Sequence, residues 1–385
     1  MPRVITTYIF KEIGVPFLLG LLILTVTALL SKVVKLVDLI FSHGAGLFFV
    51  LEFVASAAPS FLIYTVPVAF LIAVLMASTR LSSDSEITAL KAAGISLNAL
   101  LRPVLFMAAI AFAADLTLTL YVFPWGNLNM KRLVFEAGKT ALTSGIEEKT
   151  FYDRFLGATL YVDRINPETR TMEGIFISQQ SGDGVNFFFA KSGAIAPSED
   201  NSRVYLKLDD GASHRQNKGI GDYNIVEFKS YTLELGLTGV DPGRIQGRSN
   251  RELYAGELLE KARELKLRGE NPAPVIIDAH KRFALPVSIF VFSLLGVPLG
   301  LQKVRSSRFT GFGVALGVVL LYYIASTAFE TLGENGRLNP VLAVWGSNII
   351  FGVSGAVVFY SAFKDVSLTQ AMKRAVKTLS RGGRT

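Results

Sequence analysis

The sequence predicts an α-helical polytopic membrane protein with three transmembrane helices on either side of an inserted, all-β, jelly-roll-like domain. First, half of the 385 residues are hydrophobic and only 18% are charged, whereas about 25% of the residues in soluble domains are charged. Second, six apolar stretches are each long enough to cross about 30 Å of hydrocarbon. Third, the polar interval between the third and fourth stretches contains short runs rich in Val, Ile, Phe, Tyr and Thr, which are typical of strands.

Six apolar stretches define the predicted transmembrane helices, which cover about residues 13–30, 51–78, 97–123, 283–301, 309–329 and 340–363. The first is not expected to be a cleavable signal peptide, because its apolar run is long and Lys32 and Lys35 follow it instead of small residues. Residues 1–125 and 272–363 therefore form the two predicted groups of three helices, and residues 364–385 form a basic tail.

The interval at residues 126–271 is predicted to fold as a separate β domain. Its candidate strands, such as residues 159–165 and 203–208, are separated by breaks that include the Asp-Asp-Gly run at 209–211. Several short strands at this spacing are typical of a sandwich or a jelly roll. Residues 251–268 follow as an amphipathic linker helix, with Leu and Ala on one side and charged residues on the other.

The distribution of Lys and Arg, within a net charge of +8, predicts the orientation of the helices. The tail is basic, and so is one set of helix ends, which carries Arg3, Lys11, Arg80, Lys91, Lys303, Arg305 and Arg308. The short loops on the other side carry Lys32, Lys35 and Arg337. Because basic loops stay in the cytoplasm, both termini are predicted to be cytoplasmic. The β domain is then extracytoplasmic, and it is periplasmic in a host with two membranes.

Several kinds of chemistry are excluded by the residues that the sequence lacks. There is no cysteine and there are three well-separated histidines, so thiolate metal sites, disulfides and Cys nucleophiles are excluded, and a His-based metal or catalytic cluster is not expected. No G-x-x-x-x-G-K-[ST] run occurs, so the chain has no P-loop for ATP. No H-E-x-x-H or G-x-S-x-G run occurs either. We therefore expect no catalytic residues and no cofactor, and any use of ATP must come from a separate subunit.

The cytoplasmic segment between the second and third helices is predicted to form a short helix at about residues 83–95. Ser83 or Asp84 can cap its N-terminus, and Gly94 can end it in the left-handed conformation. Ile87 and Leu90, with Ala93 at the end of the helix, would then share one face. Such a helix can either dock a partner protein or lie on the bilayer surface, and the pattern alone favours neither.

The run Ser-Glu-Ile-Thr-Ala-Leu-Lys-Ala-Ala-Gly-Ile-Ser at residues 85–96 resembles the coupling helix of the LptF/LptG permeases. The Tyr-Thr-Val-Pro run at 64–67, the His-Lys-Arg-Phe run at 280–283 and the order of elements agree with this family, over nearly the whole chain. The Ser-Glu-Ile-Thr sequence at residues 85–88 is more similar to the F subunit of this family than to the G subunit. The resemblance implies a bacterial inner-membrane subunit of the ABC transporter that exports lipopolysaccharide. The implied partners are an LptB-like ATPase dimer that binds the ATP, a paralogous LptG-like permease, and LptC-like and LptA-like periplasmic β-jelly-roll proteins.

The same resemblance implies which residues couple the chain to the ATPase. Glu86 would insert into a groove of the ATPase, where loss of one member of a charge pair leaves a buried, unpaired charge. The alternative is an ordinary solvated carboxylate. The complete set of predicted coupling residues is Asp84, Glu86, Ile87, Leu90 and Gly94.

Three basic residues are predicted to contact the lipid. Lys32 and Lys35 are three apart at the outer end of the first helix and therefore share a face. They can form a cationic lip for the lipid phosphates or simply extend to the interface. Arg282, expected at the outer start of the fourth helix, can join the lip or anchor the interface. Asp115 in the third helix can line a cavity or contact another helix, and we favour the second reading.

Three other functions remain open for a chain with this pattern. A permease for another lipid or for lipoproteins is the main alternative, although such permeases usually carry their large domain after the first of four spans. A membrane enzyme would need a convergent set of polar residues, and only isolated ones occur. A scaffold without a transport role would lack any lipid-stimulated ATP hydrolysis in its complex.

Overall fold

The computed structural model describes residues 3–43, 47–94, 97–144, 148–155, 158–166, 171–181, 184–197, 204–217, 223–235, 248–301 and 310–363. Before the insert, the chain forms α1 (Arg3–His43), α2 (Leu47–Ala57), α3 (Pro59–Ser83), α4 (Glu86–Ala92), α5 (Leu97–Thr117), a π-helical segment (Leu118–Val122) and α6 (Phe123–Ser144). The strands are β1 (Phe151–Phe155), β2 (Ala158–Ile165), β3 (Met172–Ser181), β4 (Gly184–Pro197), β5 (Val204–Asn217) and β6 (Tyr223–Leu235). The last helices are α7 (Ala255–Leu267), α8 (Ala273–Leu301), α9 (Thr310–Glu334) and α10 (Pro340–Phe363).

The chain divides into two compact units. The helical unit comprises Met1–Val33, Val54–Asn127 and Asn250–Thr385, and the insert unit comprises Val34–Phe53 and Leu128–Ser249. Within the described part of the chain, six helical stretches are long and apolar enough to cross a membrane, namely Thr6–Ser31, Pro59–Ser83, Leu101–Val134, Ala273–Leu301, Gly311–Glu334 and Pro340–Ala362. The predicted arrangement of three spans, a β insert and three spans is therefore confirmed.

Several predicted span boundaries are wrong. The first span begins at Thr6 and not near residue 13, and the third ends at Val134 and not near residue 123. Two further differences have a clear structural reason. The second apolar stretch is broken at Ala58 into α2 and α3, because Pro59 has no N–H to continue the preceding helix and is well suited to a first helical turn. The fourth span begins at Ala273 and not near residue 283. Its first turns contain polar residues that look interfacial in the sequence but are bonded within the protein, as described below.

The helical unit is built around α3 and α8, which are its most buried spans, whereas few residues of α1 and α9 are fully buried. Gly300 allows α8 to approach α3 closely, since a Cβ atom at this position would lie 2.5 Å from the Cβ atom of Ser78. Small residues at helix crossings commonly permit such close packing in membranes. The contact fixes the two central helices against each other.

The described residues of the insert unit form a six-stranded antiparallel sheet in the order β1-β2-β3-β4-β5-β6. The predicted β insert is thus confirmed, and each described strand pairs with its neighbours in sequence. The first part of the predicted β interval is instead helical, because α6 continues to Ser144. Alternation places Leu160 and Val162 of β2 in the core with Leu206 and Leu208 of β5, as expected for a sheet with one buried face. The strand order is the feature that the sequence did not predict.

The predicted break at residues 209–211 is wrong, because β5 continues through it. Asp210 adopts a positive φ of 51°, which Asp tolerates better than most residues. A Cβ atom at Gly211 would lie 2.6 Å from the ring of Phe228, so the strand needs glycine there. Residues with the composition of a turn therefore form a local irregularity within a continuous long strand.

The predicted linker helix exists, but it begins at Ala255 and not near residue 251. The Glu257 carboxylate accepts a hydrogen bond of 2.7 Å from the backbone N–H of Tyr254, which satisfies one free donor at the helix start. Leu258 and Ala262 pack against Val275 and Ala279. The linker helix α7 is therefore fixed to the first turns of α8.

Candidate functional site

The predicted coupling helix is present as α4, but its start differs from the prediction. Ser83 is the last residue of α3, and Asp84 closes that helix by donating its backbone N–H to the carbonyl oxygen of Arg80 at 2.9 Å. Ser85 turns the chain with a positive φ of 58°, and α4 begins at Glu86. Neither Ser83 nor Asp84 caps α4, because α3 runs one turn further than the pattern indicates.

The end of the coupling segment agrees with the prediction. Gly94 has a φ of +79°, which is the left-handed conformation that glycine adopts without steric cost. The chain therefore reverses on both sides of α4, at Ser85 and at Gly94. This leaves α4 as a short, separate helix between two spans.

One face of α4 is fixed to the helical unit and the other is free. Ile87 is buried in the main core cluster of this unit, together with Leu81 and Ile13, and Leu90 packs against that cluster. The exposed residues of the segment are Thr88, Ala89, Ala92, Ala93 and Gly94. Ile87 and Leu90 do share a face, as predicted, but that face contacts this chain's own spans. Ala93, which was predicted on the same face, is exposed. A partner would meet the small residues on the opposite face.

Glu86 lies within a polar network that joins the ends of three helices. The hydroxyl of Tyr8 on α1 donates a 2.9 Å hydrogen bond to Glu86 Oε1. Arg80 on α3 forms ion pairs with Glu12 on α1 and, at 3.5 Å, with Asp84. Tyr8 and Glu12 were not among the predicted site residues. Their spacing of four residues, which places them on one helix face, is the signal that could have indicated them.

The structure does not support the predicted position of Arg282. It is the tenth residue of α8 and is only 5% exposed. Its Nη1 donates to the carbonyl oxygen of Thr119 at 2.8 Å, and its Nη2 donates to those of Asn250 at 3.1 Å and Leu253 at 3.0 Å. The guanidinium carbon also lies 4.6 Å from the ring centre of Phe123, within cation–π range. Arg282 is thus held inside the protein and does not lie at an exposed helix start.

The other two predicted lipid contacts are only partly described. Lys32 and Lys35 lie on the helical backbone of α1, but their side chains fall outside the described part of the chain. Their predicted role as a cationic lip stays a prediction.

A small cavity of about 70 Å³ lies beside Arg282, between Tyr64, Asp278 and Lys281. Lys281 Nζ contacts Glu330 Oε2 at 2.7 Å. This space can hold a few water molecules, but it is far below the size of a ligand pocket. The polar start of α8 is therefore an internal network and not a lipid site of its own.

Asp115 is fully buried, and neither of its carboxyl oxygens has a hydrogen-bond partner among the described residues. The polar contact with another helix, which was the favoured prediction, is not found in that part of the chain. Among the described residues, no group of three or more His, Asp or Glu side chains could hold a metal ion.

The insert unit carries a groove of about 950 Å³ on one face of its sheet. Tyr161, Phe176 and Phe189 are paired across neighbouring strands in this groove, and the ring centres of Phe176 and Phe189 are 5.1 Å apart. Phe188 points to the opposite face and belongs to the core. The Phe-Phe-Phe run at 187–189 therefore contributes rings to both the groove and the core. The sequence alone could not predict which ring lies on which face.

The spans, the inserted antiparallel sheet and the short helix anchored between the second and third spans define a multi-span membrane protein with a β insert. A sequence model of the family described as "Lipopolysaccharide export system permease LptF/LptG" matches residues 7–361. The chain belongs to this LptF/LptG family.

Individual relatives share a low sequence identity with this chain. The chain is 22% identical over 354 residues to the lipopolysaccharide export system permease protein LptF of Escherichia coli (strain K12), covering 90% of this chain and 92% of that protein. The LptF of Shigella flexneri matches at the same identity and coverage. An uncharacterised protein of Rickettsia prowazekii is 23% identical over 303 residues, covering 78% of this chain and 82% of that protein.

Proposed function

We propose that this chain is a membrane subunit of an ABC transporter that extracts lipopolysaccharide from the inner membrane and passes it to a periplasmic bridge toward the outer membrane. The printed description of its family and the names of its relatives support the cargo. Because the sequence has no P-loop, an LptB-like ATPase dimer supplies the ATP hydrolysis. A paralogous LptG-like permease completes the pair of membrane subunits.

The observation that carries this proposal is that α4 is anchored to the helical unit on one face and exposed on the other. Ile87 and Leu90 attach it to the core of the helical unit, and Tyr8 holds Glu86, while the opposite face is exposed. A force applied to the exposed face would be passed to α3, which α4 contacts, and through the Tyr8 hydrogen bond to α1. A helix that lay on the bilayer would instead turn its apolar face to the lipid, and in this chain that face is used internally.

Glu86 is proposed to bind a basic residue of the ATPase. One of its carboxylate oxygens accepts from Tyr8. We propose that the other, for which the described residues show no hydrogen bond, binds the ATPase. Desolvating this carboxylate on docking would make its partner necessary, because an unpaired charge at an interface is costly. Asp84 and Gly94 contribute by shaping the turns on either side of α4, and Ile87 and Leu90 by anchoring it.

The proposed topology places both termini and α4 in the cytoplasm and the insert unit in the periplasm, following the Lys and Arg distribution. Lys32 and Lys35 then contact the phosphates of the lipid at the outer end of α1. Arg282 is left out of this lip, because its guanidinium is buried against carbonyl groups. The exposed rings of the insert groove, such as Phe189 at 47% exposure, favour contact with apolar cargo before transfer to LptC-like and LptA-like proteins.

Purification of the chain in mild detergent, followed by identification of the accompanying proteins and lipids, tests the proposal. We expect a small P-loop ATPase and a phosphorylated glycolipid, together with ATP hydrolysis that the glycolipid stimulates. Lipoproteins or another lipid in place of the glycolipid would support the alternative export permease. Absence of an ATPase from an intact complex would contradict the transporter assignment.

A further inference from the structure

Arg282 connects three segments that are distant in sequence, although burial of a guanidinium is unfavourable unless its N–H groups are hydrogen-bonded. All three acceptors are backbone carbonyl oxygens, of Thr119, Asn250 and Leu253. Carbonyl groups in regular helices are already bonded, so these acceptors must be available for particular reasons.

The carbonyl of Thr119 is free because of Pro124. In the π-helical segment Leu118–Val122, the N–H of Phe123 donates to the carbonyl oxygen of Leu118, five residues earlier. At the same spacing, Thr119 would accept from residue 124, but proline has no N–H. At the usual α-helical spacing it would accept from Phe123, whose N–H is already used. Arg282 Nη1 supplies the missing donor at 2.8 Å, as buried backbone groups require.

The other two acceptors lie where the chain returns from the insert. Asn250 is the first residue of the helical unit after the insert unit ends at Ser249. Its side chain donates to Asp278 Oδ2 at 2.8 Å and accepts from Lys261 Nζ at 2.9 Å. The return segment is thus attached to α7 and α8 as well as to Arg282.

We propose that Arg282 is a positioning residue that mechanically joins both connections of the β insert to α8. One connection leaves through the π-helical segment and α6, and the other returns through Asn250 and Leu253. Movement of α8 during the transport cycle is therefore passed to the two ends of the insert together. Short π-helical segments are frequent at functional sites, and here the segment creates the free carbonyl that Arg282 binds. The effect on lipid transport rests on the function proposed above, whereas the role of Arg282 in hydrogen bonding does not.

Hydrogen–deuterium exchange of the full chain in lipid nanodiscs, with its accompanying subunits, tests the bonding. In Arg282→Gln, exchange at residues 118–123 and at 250–254 should rise together by at least about tenfold, because charge-assisted hydrogen bonds are worth this factor or more. Arg251→Gln removes a nearby exposed charge and should change neither segment. A rise in only one segment, or an equal rise over the whole chain, would overturn the proposal.

A second substitution separates the free carbonyl from general support of the fold. Pro124→Ala restores an N–H that Thr119 can accept. In the Arg282→Gln background it should therefore lower exchange at residues 118–123 and leave exchange at 250–254 high. If Pro124→Ala changes neither segment in that background, the free carbonyl is not what Arg282 satisfies.

A third experiment tests the effect on transport. It measures how many lipid molecules reach a photocrosslinker in the insert for each ATP molecule hydrolysed. Arg282→Gln should lower this ratio, because the insert no longer follows α8. An unchanged ratio, with hydrolysis and delivery falling in proportion, would show that Arg282 only supports the fold. If the unsubstituted complex delivers no lipid, the proposed function is wrong, and the exchange experiments still decide the bonding.

Discussion

At the residue scale, most buried polar groups at the start of α8 have defined partners, and this explains why a segment with four polar residues can begin a membrane span. Lys281 pairs with Glu330, Asp278 with Asn250, and Arg282 with three carbonyl groups. His280 also accepts from the indole N–H of Trp345 at 3.4 Å. Charged residues within spans are commonly paired in this manner. The pairing was not visible in the sequence, because Glu330 and Thr119 lie 49 and 163 residues away from their partners.

The ion pair between Lys281 and Glu330 yields a prediction about stability. Lys281→Met leaves the Glu330 carboxylate, 16% exposed, without its cation. We expect the chain to lose about 1–3 kcal/mol of stability, which is the cost of an unsatisfied buried group. Thermal unfolding in detergent measures the loss. In Lys281→Met/Glu330→Leu the loss should be smaller than in Lys281→Met alone, and additive losses would show that the two side chains do not interact.

Glu86 yields a prediction about coupling. Glu86→Ala should uncouple ATP hydrolysis from lipid export, and binding of the ATPase should weaken by about 30-fold or more, since truncating one member of a desolvated charge pair costs about 2–5 kcal/mol. Export in cells and ATPase binding in detergent measure the two effects. Glu260→Ala, at an exposed position of α7, is the matched control and should retain both. Normal export by Glu86→Ala at native expression would refute the role.

At the element scale, tertiary context decided the boundaries that local patterns did not predict. Ser83 and Asp84 have the composition of a helix cap, yet α3 extends to include Ser83, and the reversal falls on Ser85 in a positive-φ conformation that serine seldom adopts. The Asp-Asp-Gly run at 209–211 has the composition of a turn, yet strand pairing on both sides carries β5 through it. In both places longer-range packing or pairing outweighed the local preference.

The crossing of α3 and α8 yields a prediction at this scale. Gly300→Val should destabilise the chain by about 1–3 kcal/mol, because extra atoms in a packed interface force the neighbours apart, and even a Cβ atom would lie 2.5 Å from Ser78. Thermal unfolding in detergent measures the change. Gly256→Ala on α7 is the control and should not destabilise, because among the described residues the added Cβ would meet no atom within 4 Å beyond its own helix and chain neighbours. Equal effects of the two substitutions would show that the crossing is not tightly packed.

At the scale of the whole molecule, hydropathy was sufficient to predict the six spans and the insert, because the cost of unbonded backbone in hydrocarbon leaves few alternatives to a helix. The sheet was predicted as a class of structure only. Its register depends on pairs such as Phe189 with Ala212 and Ala212 with Glu227, which no local pattern specifies. The candidate site was predicted in part: α4 and Gly94 could be found from the sequence, whereas Tyr8 and the internal role of Arg282 depend on contacts between distant segments.

The orientation of the whole molecule yields the last prediction, and the absence of native cysteine makes it directly measurable. Single cysteines at Thr88 and Ala89 of α4 should react with a membrane-impermeant maleimide only from the cytoplasmic side. Single cysteines at Lys229 of β6 and Leu267 of α7, which is 88% exposed, should react from the opposite side. All four positions are exposed in this chain, so accessibility reports the side of the membrane and not burial. Reaction of α4 and β6 from one side would break the separation between an ATPase-facing helix and a cargo-receiving sheet, and with it the route by which ATP hydrolysis could move a lipid through this protein.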